Sequence, residues 1–374
     1  MIKAIVTVLF SLVLFIGLSA SVLDGIYGGG EPFPDLSQAP TMNSDALDVV
    51  ANLEYPPGNI SVSNEGRVFF TFHPEAKPPV NIAELIDGKA IPLDIPPEIK
   101  LSSVLSLRVD RQNRLWLLDF AEHGMATPQI AAIDLNTMKL AHHFEFPSDI
   151  AGMGSHLNDF QVSHDGNFIY IADASILKKN PALIVYDVEN KVARRLLEGH
   201  DSVKPDYFVP VVDKEKMLIF GVFAIRPGVD SIALDRQEKW LYFAPVTDTY
   251  LHRLALKDLH NTELKPEQLA ERVERFAKKS MSDGITTDDA GNIYISDLEH
   301  RAINRISAKG KFETLLKDEK LRWPDGFSFG PDGWLYVANS ALNVVIAKPN
   351  SYIMEQGPYQ ILRFKPDSSG YPGH

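Results

Sequence analysis

Three oxygen-bearing side chains stand just before short apolar segments of the chain: Asn158, Asp283 and Asp325. Carboxylate and carboxamide oxygens are the ligands that Ca²⁺ prefers, and they also bind Mg²⁺ and Mn²⁺. Carboxylates gathered without a cation repel one another and raise each other's pKa, and a bound metal relieves that repulsion. It can also polarise a carbonyl oxygen. If the fold gathers these residues, they predict a site for a cation or a polar ligand.

The same residues have a simpler, structural interpretation. An Asp or Asn before a strand often accepts backbone N–H hydrogen bonds in an Asx turn. Asp119, Asp173 and Asp297, which end other apolar segments, are expected to tie strand ends to neighbouring loops in this way. The choice between the two interpretations depends on how the segments are arranged in space.

The elements that would position these residues are β-hairpins, which recur along the chain. Each has two apolar, β-branched or aromatic segments around a polar turn. The six copies lie at 60–72, 105–119, 158–173, 230–245, 282–306 and 325–339. Their spacing, about 50 residues on average, is typical of a four-stranded propeller blade. The sequence therefore predicts an all-β fold, a single six-bladed β-propeller of four-stranded antiparallel blades, in which 360–364 could close the ring.

This fold determines which residues can meet. The first strand of a blade is innermost, so its first residues surround the mouth of the central channel. Asp230 shares that position with the three residues named above, and Glu54 precedes the first inner strand. The predicted ligands of Ca²⁺ or another divalent cation are Glu54, Asn158, Asp283 and Asp325.

Other residues near the mouth are candidates for catalysis or ligand binding. His156, close to Asn158, is a candidate general base, and Asp283 is the second candidate catalytic residue. Aromatic and charged residues in segments that enter or leave the same face could contact a small organic ligand. The predicted ligand-binding residues on this face are Phe223, Arg226, Asp230 and Trp323.

Composition excludes several classes of function. The 374-residue chain has a formal net charge of -12 and no cysteine. The negative charge argues against nucleic acid or an anionic membrane as a partner. Without cysteine there are no disulfides, no thiolate catalysis and no Cys-ligated metal sites. We expect a monomer whose partner is a small-molecule ligand or substrate.

The N-terminus predicts export. Lys3 is followed by an uncharged apolar run that ends in small residues near Ala20, which is typical of a cleaved signal peptide, with a retained anchor as the alternative. Apart from this signal no membrane contact is predicted, and the location is periplasmic or secreted. The predicted organisation is a signal peptide at 1–20, an extended leader at 21–50, the propeller at 51–366 and a C-terminal tail at 367–374. Within the propeller, 266–279 has helical spacing and predicts a short helix or an irregular outer strand, and 178–226 leaves room for an insertion.

Several of these segments together resemble the yellow/major royal jelly protein family in its bacterial form. The resemblance rests on RLWLLDF (114–120), IYIAD (169–173), LIVYDV (183–188), LYFAP (241–245), IYISDLEHRAI (293–303) and LYVANS (335–340). It implies a secreted six-bladed propeller whose relatives convert dopachrome or bind biogenic amines. It also implies that Asn339, matching an Asn near the ligand in amine binders, contacts ligand. The disulfides of insect members do not transfer to this cysteine-free chain.

A more distant resemblance is to gluconolactonases, paraoxonases and similar Ca²⁺-dependent propeller hydrolases. Those enzymes use a Glu, an Asn and one or two Asp at the starts of inner strands. The matching positions here are Asn158 and Asp283, with Asp325 as a third and Glu54 as the Glu.

Two functions therefore stay open at this point. The first is an exported, divalent-metal-dependent hydrolase of lactone-like small molecules. The second is a non-hydrolytic binder or a dopachrome-tautomerase-like isomerase for aromatic or amine compounds, with Asn339, Phe223 and Trp323 at the mouth. A structural scaffold that binds neither metal nor small ligands is a third alternative.

Overall fold

The structure is a computed structural model and describes residues 2–373. It contains six four-stranded antiparallel sheets. In five of them the strands follow one another in chain order, and the sixth combines the first strand with the last three. The strands before and within the first three blades are β1 (Asp48–Leu53), β2 (Pro57–Val62), β3 (Val68–Phe72), β4 (Ile82–Ile86), β5 (Lys89–Pro92), β6 (Val104–Val109), β7 (Arg114–Asp119), β8 (Gln129–Asp134), β9 (Lys139–Glu145), β10 (Leu157–Val162), β11 (Phe168–Asp173), β12 (Ala182–Asp187) and β13 (Val192–Leu196).

The second half of the chain begins with an insertion and continues with three more blades. The insertion forms two small hairpins, β14 (Val211–Val212) with β15 (Glu215–Lys216) and β16 (Leu218–Ile219) with β17 (Phe223–Ala224). The remaining strands are β18 (Val229–Leu234), β19 (Trp240–Pro245), β20 (Tyr250–Ala255), β21 (Glu274–Lys278), β22 (Ile285–Thr287), β23 (Ile293–Asp297), β24 (Ala302–Ile306), β25 (Phe312–Lys317), β26 (Pro324–Phe329), β27 (Leu335–Asn339) and β28 (Tyr359–Phe364).

The innermost strands of the six sheets form a closed ring. Each of β2, β6, β10, β18, β22 and β26 packs against the next, and β26 packs against β2. The predicted six-bladed, all-β propeller is therefore confirmed. The backbone also explains why the hairpins were recognisable, because the six turn centres all have positive φ: Gly66, Asn113, Gly166, Glu238, Gly291 and Gly333.

The ring closes through the N-terminal strand. The last sheet has the order β1-β28-β27-β26, so β1 is its outermost strand, with Val49 opposite Leu362 and Ala51 opposite Ile361. The segment 360–364, predicted as a possible closing strand, belongs to the third strand of this blade. Because β1 begins at Asp48, the blade extends into the stretch predicted as leader.

Helices and single helical turns precede or connect the strands. The region 266–279 contains a helix followed by β21, the outermost strand of the fourth blade, so both predicted alternatives occur in sequence. The helices are α1 (Ile2–Leu23), α2 (Ala121–Gly124), α3 (Leu256–Leu259), α4 (Pro266–Ala270) and α5 (Asn350–Glu355), with a π-helical turn at Asp24–Gly28 and 3₁₀ turns at Ser44–Ala46, Pro74–Ala76, Asp201–Val203 and Leu342–Val344.

The leader that follows α1 lies on the propeller. After α1, the leader pairs with the insertion through Glu31 and Phe208, and Thr41 donates a backbone hydrogen bond to Thr314. Among the residues that the structure describes, no helix is long and apolar enough to cross a membrane. The predicted signal peptide at 1–20 stays a prediction, and Met1 and His374 lie outside the described residues.

Candidate functional site

A pocket of about 320 Å³ opens where the inner strands begin. Its polar floor comes from five of the six blades, since the second blade starts with the apolar Val104. The floor residues are Asn59, Asn158, Asp159, Asp230, Asp283 and Asp325. The structure thus gathers residues far apart in the chain, as the repeat pattern predicted.

Asp230 and Asp283 form the centre of this floor. The amide of Asn158 donates a hydrogen bond to Oδ1 of Asp230. The indole Nε1 of Trp323 donates to Oδ2 of Asp283 over 2.6 Å. Burial raises the pKa of Asp283 to about 6, and burial together with the charge of Asp283 raises the pKa of Asp230 well above its usual range. These two carboxyl groups therefore hold protons more tightly than exposed ones do.

Asp159 belongs to a second group, which contains a buried cation. Asn59 Nδ2 and Ser106 Oγ donate to its Oδ1 over 2.8 and 3.0 Å. The Arg108 guanidinium lies 3.9 Å from Oδ2 and also donates to the Asn59 carbonyl oxygen. Burial raises the pKa of Asp159 and the charge of Arg108 counteracts it. Asp325, by contrast, accepts one hydrogen bond from Ser340 Oγ at 2.7 Å, and burial raises its pKa well above the usual value.

The floor holds more carboxyl groups than cations. Four carboxyl groups line the pocket, of which Asp325 is half-buried and the other three are buried, whereas Arg108 sits behind Asp159 and Lys279 is bonded to the carbonyl oxygens of Val246 and Ser280. Burial lowers the pKa of Lys279 to about 8. A cation that entered the pocket would therefore face more carboxyl groups than positively charged side chains.

Three histidines form part of the wall: His73, His123 and His156. The Nδ1 atoms of His123 and His156 are 2.8 Å apart, so one ring donates to the other, and the two rings stack with centroids 4.7 Å apart. His73 Nδ1 accepts from the backbone of Glu75. Burial lowers the pKa of all three rings, to about 4 for His73. At neutral pH these three rings are uncharged and able to donate or accept protons.

The rest of the wall is apolar except for Glu75, and it comes mainly from the insertion and the loops between blades. It includes Phe120, Leu177, Ile219, Phe220, Ile225, Pro227, Val246, Trp323, Leu342 and Ile346. The pocket thus combines an acidic floor, a neutral histidine wall and an apolar upper part. Such a shape suits a small organic molecule with one polar end.

Not every predicted residue reaches the pocket. Glu54 lines a separate cavity with Asn52 and Tyr55, because it directly follows the outermost strand β1 and lies where the chain crosses toward the next inner strand. It is therefore not placed with Asn158, Asp283 and the other predicted metal ligands.

Three residues predicted to contact ligand instead bond to or pack against other parts of the chain. Asn339 is buried and its Nδ2 donates to the Lys320 carbonyl oxygen over 2.7 Å. Arg226 donates to the Phe208 carbonyl oxygen and stacks over a tyrosine ring. Phe223 lies on the insertion hairpin, its ring 5.5 Å from that of Tyr27. None of the three lines the pocket floor or wall described here.

Two side chains of the candidate site were not predicted from the sequence. His123 sits on α2, where Glu122 and His123 themselves have positive φ, a conformation that no motif signals. Arg108 lies inside β6 in a run that reads as an ordinary strand. The predicted structural aspartates behave as expected, since Asp119 accepts from the Ser103 and Ala121 backbone and Asp173 from the His156 backbone.

Whether a metal ion fits this pocket depends on which side chains offer oxygen or nitrogen ligands to it. Within residues 2–373, no three His, Asp or Glu side chains are spaced to hold a metal ion. Asn158 turns its Nδ2, not its carboxamide oxygen, toward Asp230, and Asp230 interacts electrostatically with Asp283. The two carboxylates are hard oxygen donors of the kind that Ca²⁺ accepts, but they are fewer than the predicted set.

Solved structures with similar folds include calcium-binding and lactone-hydrolysing propellers. The calcium-binding protein regucalcin from Agrobacterium tumefaciens superposes with a TM-score of 0.55 at 14% identity, over 90% of this chain and 98% of the other. A gluconolactonase from Xanthomonas campestris does so with a TM-score of 0.55 at 13% identity, over 90% and 98%. At these identities the likeness concerns the fold.

Sequence comparison identifies the family. Major royal jelly protein 3 of Apis mellifera is 23% identical over 234 residues, and the aligned part covers 58% of this chain and 41% of the bee protein. The family model described as major royal jelly protein matches residues 102–362, more than two thirds of the chain. The chain therefore belongs to the major royal jelly protein family.

Proposed function

We propose that this propeller binds a small organic molecule that carries a cationic amine on an apolar or aromatic body. The observation that carries the proposal is the floor, where three buried carboxyl groups and the half-buried Asp325 face the pocket below largely apolar walls. A protonated amine would satisfy Asp230 and Asp283 by charge-assisted hydrogen bonds. The apolar body would pack against Trp323, Phe120 and the insertion.

The same geometry supports proton transfer on such a ligand. Asp283, with a pKa of about 6, and neutral His156 both lie on the pocket surface. A carboxylate and a neutral imidazole are a base and a proton carrier suited to isomerisation near neutral pH. A tautomerase activity would use them in these roles.

The experiment compares tyramine with 4-ethylphenol, which has a similar ring and no amine, by calorimetry and thermal shift. We expect tyramine to bind on the order of ten-fold more tightly or better, since a charge-assisted hydrogen bond contributes about 1.5–3 kcal/mol. Asp283→Asn should lose that preference, whereas Asp332→Asn, in an exposed turn, should keep it. Equal affinity for both probes, or an unaffected Asp283→Asn protein, would sink the proposal.

A divalent-metal-dependent hydrolase of lactone-like molecules is the second candidate. It is supported by the meeting of Asn158, Asp230 and Asp283 and by the shared fold with gluconolactonase and regucalcin. The test is the metal content of the purified protein and its thermal midpoint in excess Ca²⁺ and in chelator. A Ca²⁺-dependent rise that Asp230→Asn abolishes, with no response to tyramine, would favour this candidate over the first.

We also propose that residues 1–20 direct export to the periplasm or the medium. The support is the basic start and the apolar run that the sequence shows. Intact mass and N-terminal sequencing of the protein from each cell fraction test this. A protein that stays in the cytoplasm with residue 1 in place contradicts it.

A further inference from the structure

The most exposed large apolar side chains of the propeller all surround the mouth of the pocket. Met125, Met153, Leu177 and Phe220 are 68%, 79%, 62% and 84% exposed. Among residues 27–373, no other large apolar side chain is more than 57% exposed. We call these four residues the rim.

Contacts place the rim residues around a single opening. Leu177 and Phe220 line the pocket. Met125 directly follows the loop that presents His123, and Gly154, next to Met153, donates a backbone hydrogen bond to His123. Lys178, next to Leu177, donates to the Gly154 carbonyl oxygen, so the loops of Met153 and Leu177 adjoin.

The shape of the rim favours a lipid surface over a folded partner. The four side chains project singly from separate loops around a hole, and they do not form the continuous flat or grooved patch that a protein interface needs. Apolar tips at this exposure can enter the boundary between headgroups and acyl chains. The exposed Lys178 and Lys179 directly follow Leu177 and can reach phosphate headgroups.

The N-terminal segment joins the propeller beside the same opening. Tyr27 packs on Phe223 of the insertion, and the apolar side chains described in α1 are exposed. An apolar segment that enters lipid there would bring the mouth to the lipid surface. We propose that the mouth of this propeller docks on a membrane surface through its rim, so that ligands reach the pocket from the interface. This goes beyond the proposed amine binding and does not depend on it.

The absence of cysteine in the natural chain makes the test direct. Single cysteines replace Phe220 or Met153 at the rim, and Ile91 or Val192 on the outermost strands β5 and β13, and each is labelled with the environment-sensitive fluorophore NBD in the full chain. On adding vesicles of zwitterionic phosphatidylcholine, which avoid the repulsion expected between a chain of net charge -12 and an anionic membrane, we expect the rim probes to brighten about two-fold or more and shift to the blue, as in the headgroup region. The probes on the outer strands should not change. They are the control because Ile91 and Val192 are also exposed, at 43% and 53%, and lie on outermost strands away from the rim.

Two results would overturn the proposal. Rim probes that do not respond while the chain co-sediments with vesicles would show that the N-terminal segment tethers the protein and the rim stays in water. Rim probes that respond to protein concentration without lipid would assign the face to another copy of the chain. A supporting second measurement is the double variant Met153→Ser with Phe220→Ser, which should weaken vesicle binding on the order of ten-fold, whereas Ile91→Ser with Val192→Ser should not.

Discussion

The indole of Trp323 and the carboxyl group of Asp283 connect the last two blades at the pocket floor. Their hydrogen bond is 2.6 Å long, and it joins the residue before β26 to a residue just before β22. Trp323 is buried and has a φ of 59°. A non-glycine residue held in this conformation costs on the order of 1 kcal/mol or more, and here it directs the ring at the carboxylate.

Replacing this indole should change the acidity of the floor. The hydrogen bond from Trp323 lowers the pKa of Asp283 against the effect of burial, so Trp323→Phe should raise that pKa further. Less carboxylate is then available near neutral pH, and tyramine affinity should fall on the order of ten-fold, with its pH midpoint moved upward. Calorimetry from about pH 5 to about pH 8 measures both. Trp240→Phe, on an outer face near Arg253, is the control, and an unmoved midpoint in Trp323→Phe would contradict the prediction.

The floor and the histidine wall should give opposite pH dependences of stability. Burial raises the pKa of Asp283 from 3.8 to about 6, so between these values the folded state binds a proton that the unfolded state lacks, and acidification stabilises. Burial lowers the pKa of His73 from 6.5 to about 4, so over that window the unfolded state binds the proton, and acidification destabilises.

Substitution should separate the two contributions. Asp283→Asn removes the stabilising one, so the free energy of unfolding should fall more steeply between about pH 6 and about pH 4 than in the parent. His73→Gln removes the other and should make the fall shallower. Urea denaturation at several pH values measures this. Parallel curves for all three proteins would show that neither group has the shifted pKa described here.

Much of the fold was predictable because each blade signals itself locally. A turn residue that tolerates positive φ, such as Gly166 or Asn113, sits between two apolar segments, and six such signals count the blades. The closing strand was not predictable in the same way. The segment Asp48–Leu53 has no hairpin partner nearby, and its partner β28 lies about 300 residues away.

The site was predictable only where it follows the repeat. Asn158, Asp283 and Asp325 share one position in different blades, so the inner ring places them together. Glu54 does not occupy a repeat position, and it lies at the periphery because it directly follows the outermost strand β1. His123 depends on a loop of left-handed non-glycine residues, whose conformation is imposed by tertiary packing and has no signature in the chain.

The closing strand should make a measurable contribution to stability. Leu53 is 4% exposed and lies opposite Tyr359, whereas Val49 of the same strand is 40% exposed. Leu53→Ala should therefore cost about 2–5 kcal/mol of unfolding free energy, and Val49→Ala well under about 1 kcal/mol. Urea denaturation compares them. Equal losses would mean that β1 is only loosely attached to the sixth blade.

The C-terminal tail should hold the end of the channel opposite the pocket. Tyr371 lies 3.7 Å under the Arg111 guanidinium and 5.2 Å from that of Arg236, and the Gly373 carbonyl oxygen accepts from Ser61. The ring thus contacts two like charges, Arg111 of the second blade and Arg236 of the fourth blade, and separates them from each other. Tyr371→Leu should cost about 1–2 kcal/mol in urea denaturation and leave tyramine affinity unchanged, because the pocket lies at the other end. Tyr352→Leu, whose ring faces only Lys348 at 5.6 Å, should cost less, and a Tyr371→Leu protein no weaker than that control would rule out a role for the tail in holding these blades together.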